Sequence, residues 1–465
     1  MENKARQIAG SVTSVMLGFV PFLFLFIWHG RVASSYGAGE YYKRVLPWLI
    51  ICALIVLLIT TWKKTAFRGK LILWIPIWLL CFGTVAQSVW TKAWVGYVEM
   101  HSSLSERISD PASRQDTNKI LVAFLLALVG ACALAFLNQK KRLDLQHRPK
   151  VLLLFILAAM LGAWVPVAVN FPWLYEINKV TFVIGLAILL NWPIFDRNER
   201  LGSLSAKINL LFKKIPILKL LRSEEDEASS DPLKLICCVI YVACFALPLL
   251  VRGESEFGSM IIIGITFFIM ILTYLESSRK VALVSAVVLP LLGMGAFFIA
   301  HTKITKRIDL WLNFVKQGAD NQQYLGMRGI LLGGWFGGDR RYFSYVPEGD
   351  NDMIGSVLIQ CFGGVIGALL IGLCLILVCL GFRTALKEKD HLQRGIAFGF
   401  STTIGVQSLL MWAGNLVLLP LSGNTQPFMS SGGGSVFAMF FMVFVLFLLD
   451  RKEYARKTAN WGEIK

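Results

Sequence analysis

The chain has 465 residues, 56% of them hydrophobic, a mean hydropathy of +0.62 and a formal charge of +17. That balance excludes an ordinary soluble domain, and its continuous rather than alternating apolar runs exclude a β-barrel. In hydrocarbon the backbone must satisfy its own hydrogen bonds, so runs of this length cross as helices. The expected fold class is all-α, a polytopic helical membrane protein.

Taken in order, the apolar runs predict twelve spans. They lie near 10–29, 45–62, 70–90, 119–138, 151–169, 177–195, 233–251, 258–275, 282–301, 354–381, 395–419 and 435–449. The first run has no small-residue cleavage site and reads as a span, not a signal peptide. Orientation follows from lysine and arginine. With the N-terminus inside, Lys4 and Arg6, Lys63, Lys64, Arg68 and Lys70, and Lys140, Lys141, Arg142, Arg148 and Lys150 all face the cytoplasm, as do the basic residues of the 196–234 loop, the 382–394 loop and the tail. Both termini are therefore expected to be cytoplasmic. The basic excess then anchors the chain against anionic lipid and does not indicate a nucleic-acid partner.

Within the 196–232 loop, Ile208–Leu218 is amphipathic and is followed by acidic Glu224–Glu227. An interfacial helix is the plainer reading, and a docking site for a cytoplasmic partner the sharper one. The nine cysteines all fall in apolar runs without metal-ligand spacing, which makes packing their default role. The five histidines are scattered and form no zinc motif, and no nucleotide-binding glycine pattern occurs.

Chemistry is concentrated in two later segments, both expected outside. Loop 302–353 is far longer than most connections, and such loops usually carry function. It holds the amphipathic stretch Ile308–Val315, the glycine-rich run Gly333–Gly338, then Arg340 and Arg341, then Glu348, Asp350 and Asp352 just before an apolar run. Arginine forks suit phosphate oxygens. The second segment, 420–434, joins the last two spans and contains Pro420, Gly423, Thr425, Pro427, Ser430 and Gly432. Irregular backbone near a membrane is tolerated where it lines a hydrated cavity.

At these residues the chain resembles the SEDS glycosyltransferases, the FtsW/RodA/SpoVE group that polymerises peptidoglycan from lipid II. Gly333, Gly334, Phe336 and Gly337 match that family's G-G-x-F-G, and Pro347, Glu348 and Asp352 match its L-P-E-x-H-T-D-F. Pro420, Gly423, Thr425 and Pro427 match P-x-x-G-x-T-x-P, and Ser430, Gly432, Gly433 and Ser435 roughly match S-x-G-G-S. Upstream, Glu254–Ser259 is similar to Q-P-D-F-G-T, and Glu176 with Lys179 to S-E-x-x-K, while Gln407 matches a glutamine of the penultimate span. The chain departs from the pattern at Asp350 and Asn351, where the family has His-Thr, at Gln360 and Cys361, where it has paired glutamates, and at Ser431, where it has tyrosine. The family has ten spans, so the resemblance implies two extra N-terminal ones. The implied organisation is a 1–118 N-terminal transmembrane region followed by a SEDS-like core over 119–465.

The resemblance implies a lipid II-polymerising glycosyltransferase serving elongation, division or sporulation, with Asp352 as catalytic base. A carboxylate there takes the acceptor hydroxyl's proton, or holds a divalent cation such as Mg or Mn against the pyrophosphate. Arg340, Arg341, Arg328 and Lys306 or Arg307 are candidates for the diphosphate charge. Glu348, Asp350, Glu176, Lys179, Gln407, Thr425, Ser430 and Ser435 complete the expected substrate-binding set. Read on the residues alone, Asn351 or Asp352 also suits a helix N-cap, and Gln407 and Asn415 suit hydrogen bonds across helices. The implied partner is a class B penicillin-binding transpeptidase. A lipid-linked precursor transporter and a catalytically inactive scaffold remain open.

Overall fold

The computed structural model describes residues 12–62, 65–100, 117–139, 149–169, 173–191, 207, 231–252, 257–274, 304–338, 343 and 345–463. Among them every regular element is a helix. The order begins with α1 (Val12–Ser35), α2 (Gly39–Trp62), α3 (Phe67–Met100) and α4 (Thr117–Gln139). Next come α5 (Pro149–Gly162), the single-turn α6 (Val165–Val169), α7 (Trp173–Leu190), α8 (Asp231–Arg252) and α9 (Phe257–Tyr274). The segment expected as one long polar loop is itself folded into α10 (304–312), α11 (Phe314–Gln317) and α12 (Gln322–Gly333). The chain closes with α13 (Ile354–Phe362), α14 (Gly364–Lys387), α15 (His391–Asn415) and α16 (Gly433–Glu463).

Six of these helices, α1, α2, α3, α14, α15 and α16, contain apolar stretches long enough to cross a membrane. Shorter apolar stretches occupy Ile120–Leu134, Leu153–Val169, Ile236–Leu249 and Gly258–Tyr274. The predicted span 282–301 lies outside the described residues, as do Ile208–Leu218, Glu224–Glu227 and Glu254–Glu256.

The structure corrects one predicted span. The run 354–381 is not continuous, because Gly363 breaks it with φ 87, a conformation glycine reaches without the Cβ penalty of other residues. The backbone of the glycine-rich turn hooks into this break, where Gly364 N donates to Gly334 O at 2.8 Å and Val365 N to Trp335 O at 3.2 Å. A side chain at Gly363 would strike the backbone of Trp335, Phe336 and Gly337. Every residue of α13 is buried, so it is a half-helix held inside protein. α14 is long enough to cross a membrane by itself.

Two compact units result. One contains residues 1–132, 306–384 and 407–465, the other 133–305 and 385–406. In the first, α3 is the central post: 94% of its most apolar window is buried, against 22% for α1 and 28% for α14. Trp74, Phe82 and Trp90 point from it into the core. At one end of α3, Arg68 Nε meets Asp450 Oδ1 of α16 at 2.5 Å and Arg68 Nη2 meets Glu453 Oε2 at 2.9 Å. In the second unit, Phe182 of α7 stacks with Tyr241 of α8 at 5.8 Å and meets Phe245 at 5.3 Å. The Tyr241 hydroxyl donates to Thr181 O at 3.1 Å.

Candidate active site

The acidic segment is shaped by backbone carbonyls that neighbouring side chains hold in place. Trp90 Nε1 donates to Val346 O at 2.7 Å, and Gln322 Nε2 donates to Pro347 O at 2.9 Å. Glu348 then turns the chain with φ 51, and its carbonyl accepts from Asn351 N and Met353 N, both at 3.0 Å. A non-glycine residue in this region costs roughly 1–3 kcal/mol and persists only where the surroundings overdetermine it. The Glu348 side chain is exposed.

This turn delivers Asp352, which is partly exposed, to the head of α13. The N-cap position falls on Met353, which makes no side-chain cap. The capping acceptor comes instead from α15. Asn415 Oδ1 accepts from Ser356 N at 2.9 Å and from Ser356 Oγ at 3.1 Å. The same amide's Nδ2 donates to Asp352 O at 2.7 Å and to Met411 O at 2.9 Å. One buried asparagine therefore terminates the half-helix and holds the Asp352 backbone. This replaces the expectation that Asn351 or Asp352 caps the helix.

The loop between α15 and α16 packs against the same turn. Ser431 Oγ donates to Asp350 Oδ2 at 2.9 Å, and Ser431 N to Asp350 O at 3.0 Å. Ser430 Oγ donates to Asn351 O at 3.0 Å and accepts from Gln426 N at 2.7 Å. Asp350 is buried, unlike its neighbours Glu348 and Asp352. Behind this layer, Gln407 Nε2 donates to Thr425 O at 2.9 Å and lies 3.2 Å from Thr425 Oγ1, which donates to Ser435 Oγ at 2.8 Å. Gln87 of α3 supports the loop from below, with Nε2 donating to Met429 O at 2.6 Å.

The structure thus brings Asp350, Asp352, Ser430, Thr425, Ser435 and Gln407 into one hydrogen-bonded neighbourhood, with Glu348 at its rim. Of the cationic candidates, Arg328 on α12 and Lys306 on α10 are exposed. Arg307 is committed to structure, its Nη1 donating to Leu421 O at 2.6 Å. Arg340 and Arg341 lie outside the described residues. Glu176 and Lys179 belong to the second unit, where Lys179 Nζ pairs with Glu176 Oε1 at 2.8 Å and both side chains are largely buried. Among the described residues no three His, Cys, Asp or Glu side chains converge. The described residues by themselves form no three-ligand cage for a metal.

Four positioning side chains had no role assigned from the sequence: Gln87 and Trp90, polar or amphipathic within the apolar run of α3, and Gln322 and Gln323, which stand in the expected polar loop. Gln323 Nε2 bonds both Gly414 O and Leu419 O at 3.0 Å, joining α12 to the end of α15.

Apolar helices of spanning length, a broken span with an aspartate at its head, and a serine-bearing loop folded onto it define a multi-pass helical membrane protein with a polar site built from interhelical loops. The comparisons place it further. A family model described as "Cell cycle protein", for FtsW, RodA and SpoVE, matches residues 116–455, and the chain belongs to that family of the bacterial cytoplasmic membrane. It is 28% identical over 204 residues to a probable peptidoglycan glycosyltransferase FtsW of Geobacter sulfurreducens, covering 43% of this chain and 54% of that one. The match thus spans about half the length of that relative. The corresponding FtsW of Methylomonas methanica is 25% identical over 365 residues, covering 72% of this chain and 93% of its own. That of Xanthomonas oryzae pv. oryzae is 29% identical over 394 residues, covering 79% and 73%. A chain from a solved peptidoglycan synthase complex aligns at a TM-score of 0.48 and 19% identity, covering 72% of this chain and 90% of that one.

Proposed function

We propose that this protein is a glycosyltransferase that polymerises lipid II into glycan strands at the outer face of the cytoplasmic membrane, with Asp352 as its general base. The observation that carries the reading is the attachment of Asp352: a partly exposed carboxylate on a backbone held by buried Asn415, at the head of a fully buried half-helix. A base must be held in place to act on a bound hydroxyl, and such rigidity supplies the orientation that catalysis needs. In the reaction the acceptor sugar's hydroxyl oxygen attacks the anomeric carbon of the donor. The bond from that carbon to the lipid pyrophosphate breaks, Asp352 takes the hydroxyl proton, and the pyrophosphate leaves on its lipid. Lys306 and Arg328 are the described exposed cations available to the departing charge, and Arg340 and Arg341 follow in sequence. Buried Asp350 and Ser430 shape the turn that presents Asp352. Glu348, Gln407, Thr425 and Ser435 shape the surrounding pocket, and Glu176 with Lys179 forms a second polar locus in the other unit.

The topology goes with this reading: twelve spans with both termini cytoplasmic, the last ten forming a SEDS-like core and the loops at 302–353 and 420–434 outside. The family match begins at residue 116, so it covers nine of the twelve expected spans and leaves the first of the ten core spans upstream of it. A class B penicillin-binding transpeptidase is the proposed partner. The thinly buried α14, exposing Val365, Leu369, Leu375 and Ile376, supports a place for its membrane helix.

The test is Asp352→Asn in purified protein supplied with lipid II. Loss of polymerisation with lipid II binding retained is the expected result. Full polymerisation by the variant overturns the assignment, and movement of lipid II across a vesicle membrane without its consumption identifies a transporter instead.

A further inference from the structure

The N-terminal helix α1 lies outside the family-matched residues, yet it touches the half-helix that carries the site. The contacts occur at two levels of α1. At its C-terminal end, the Tyr36 hydroxyl lies 3.3 Å from Gly338 O and 3.4 Å from Gln360 O, placed to donate between the two. Those two positions are themselves joined, with Gly338 N donating to Gln360 O at 3.1 Å. The Tyr36 ring also meets Phe343 edge-on at 5.9 Å. Two turns earlier on α1, Trp28 and His29 enclose Phe362, the last residue of α13, with ring centroids 5.4 Å away in each case. Phe82 of α3 closes the cluster, 4.4 Å from His29 and 5.2 Å from Phe362. His29 is fully buried there.

α13 is a rod of nine residues, too short to be stable alone. Its N-terminal end is held by Asn415; at its C-terminal end left-handed Gly363 stops the helix, and the glycine-rich turn bonds there, with Gly338 N donating to Gln360 O and Gly364 N to Gly334 O. Loosening that far end lets the rod tilt about its head, and Asp352 turns with it. α1 supplies a further attachment there, bracing the glycine-rich turn and the end of the rod together. Trp90, donating to Val346 O and packed against Gly349, fixes the approach to the head from α3.

We propose that α1 is a built-in clamp on the end of the catalytic half-helix, and that Tyr36 is a positioning residue acting through α13 on Asp352. The catalytic half of this statement rests on the function proposed above, and the mechanical half does not. A transferase whose half-helix is clamped by its own N-terminus carries part of its active-site order within one chain.

The experiment uses the full chain in lipid nanodiscs and the variant Tyr36→Phe, which keeps the ring and removes the hydroxyl. Two readouts are taken: amide hydrogen exchange over 354–362, and kcat and KM for lipid II polymerisation. The expected result is exchange over 354–362 faster by about fivefold with α16 unchanged, and kcat lowered about tenfold at a KM within about twofold. A general loss of folding instead lowers active enzyme and speeds exchange in α16 as well. Unchanged exchange over 354–362 overturns the clamp. Faster exchange with unaltered kcat overturns the positioning role. Where Asp352→Asn proves fully active, the functional reading fails, and the exchange measurement still decides the clamp. His29→Leu, which keeps an apolar side chain against Phe362, controls for packing; faster exchange in it no different from Tyr36→Phe, with kcat equally lowered, assigns the effect to the aromatic cluster and overturns the specific role of the hydroxyl.

Discussion

Replacing Asn415 by alanine removes three hydrogen bonds at the head of α13, to Ser356 N, Ser356 Oγ and Asp352 O, and one within α15, to Met411 O. The lost acceptor at Ser356 N is the loss of an N-cap, about 1 kcal/mol. The half-buried Asp352 carbonyl loses the Asn415 donor, a loss of about 1–3 kcal/mol at most. The sum is at most roughly 2–4 kcal/mol of local stability. The kinetic effect is larger in proportion, because a catalytic group misplaced by about 1 Å costs on the order of 100-fold. Asn415→Ala in purified protein is therefore expected to polymerise lipid II about 100-fold more slowly at similar KM, with a lowered thermal midpoint. Asn415→Asp keeps an acceptor for Ser356 N but gives up the donor to Asp352 O, and it belongs between the two. An Asn415→Ala protein with wild-type melting and a kcat within about twofold of wild type refutes the reasoning, since α13 would then be held by something other than this amide.

Gly363→Ala is expected to destabilise the protein by at least about 1–2 kcal/mol through its left-handed backbone, and by more because the new methyl meets the Trp335–Gly337 backbone. A thermal melt checks this. Lys179→Met removes the ion pair to the largely buried Glu176 and is expected to cost up to about 3–5 kcal/mol, while Lys179→Met with Glu176→Leu recovers most of the loss; chemical denaturation of both variants separates these outcomes. Arg68→Ala removes the ion pairs to Asp450 and Glu453, both largely buried, with an expected loss of up to a similar size. Arg68→Lys recovers only part of it, because a compact ammonium lacks the separated donors that the planar guanidinium aims at the two carboxylates.

The class of fold was legible because it depends on composition. Long uncharged apolar runs have few options in lipid, so helices and their approximate places follow from the chain alone. The 302–353 region was legible as chemistry-bearing but not as structure. Its short amphipathic helices each bury only one side, and a run of ten or so mixed residues reads equally well as loop. The break at Gly363 was invisible for a related reason. Hydropathy averages over 354–381 and registers no change, whereas the kink depends on a glycine-rich turn packing against the break from about thirty residues upstream.

The site divides along the same line. Motif order in the sequence singled out Asp352 and paired it with the Pro420–Ser435 segment, since both are polar insertions beside apolar runs. The sequence by itself determined that this is a helical membrane protein of a recognisable family, because hydrophobic length and the spacing of glycine, proline and acid are local properties. Only the tertiary structure decided how Asp352 is held. Its supports, Asn415 on α15, Trp90 and Gln87 on α3, and Tyr36 at the end of α1, stand from 63 to more than 300 residues from their partners. Hydrogen bonds over such separations exist only once the helices have packed, and no local pattern of residue types encodes which amide will face which carbonyl.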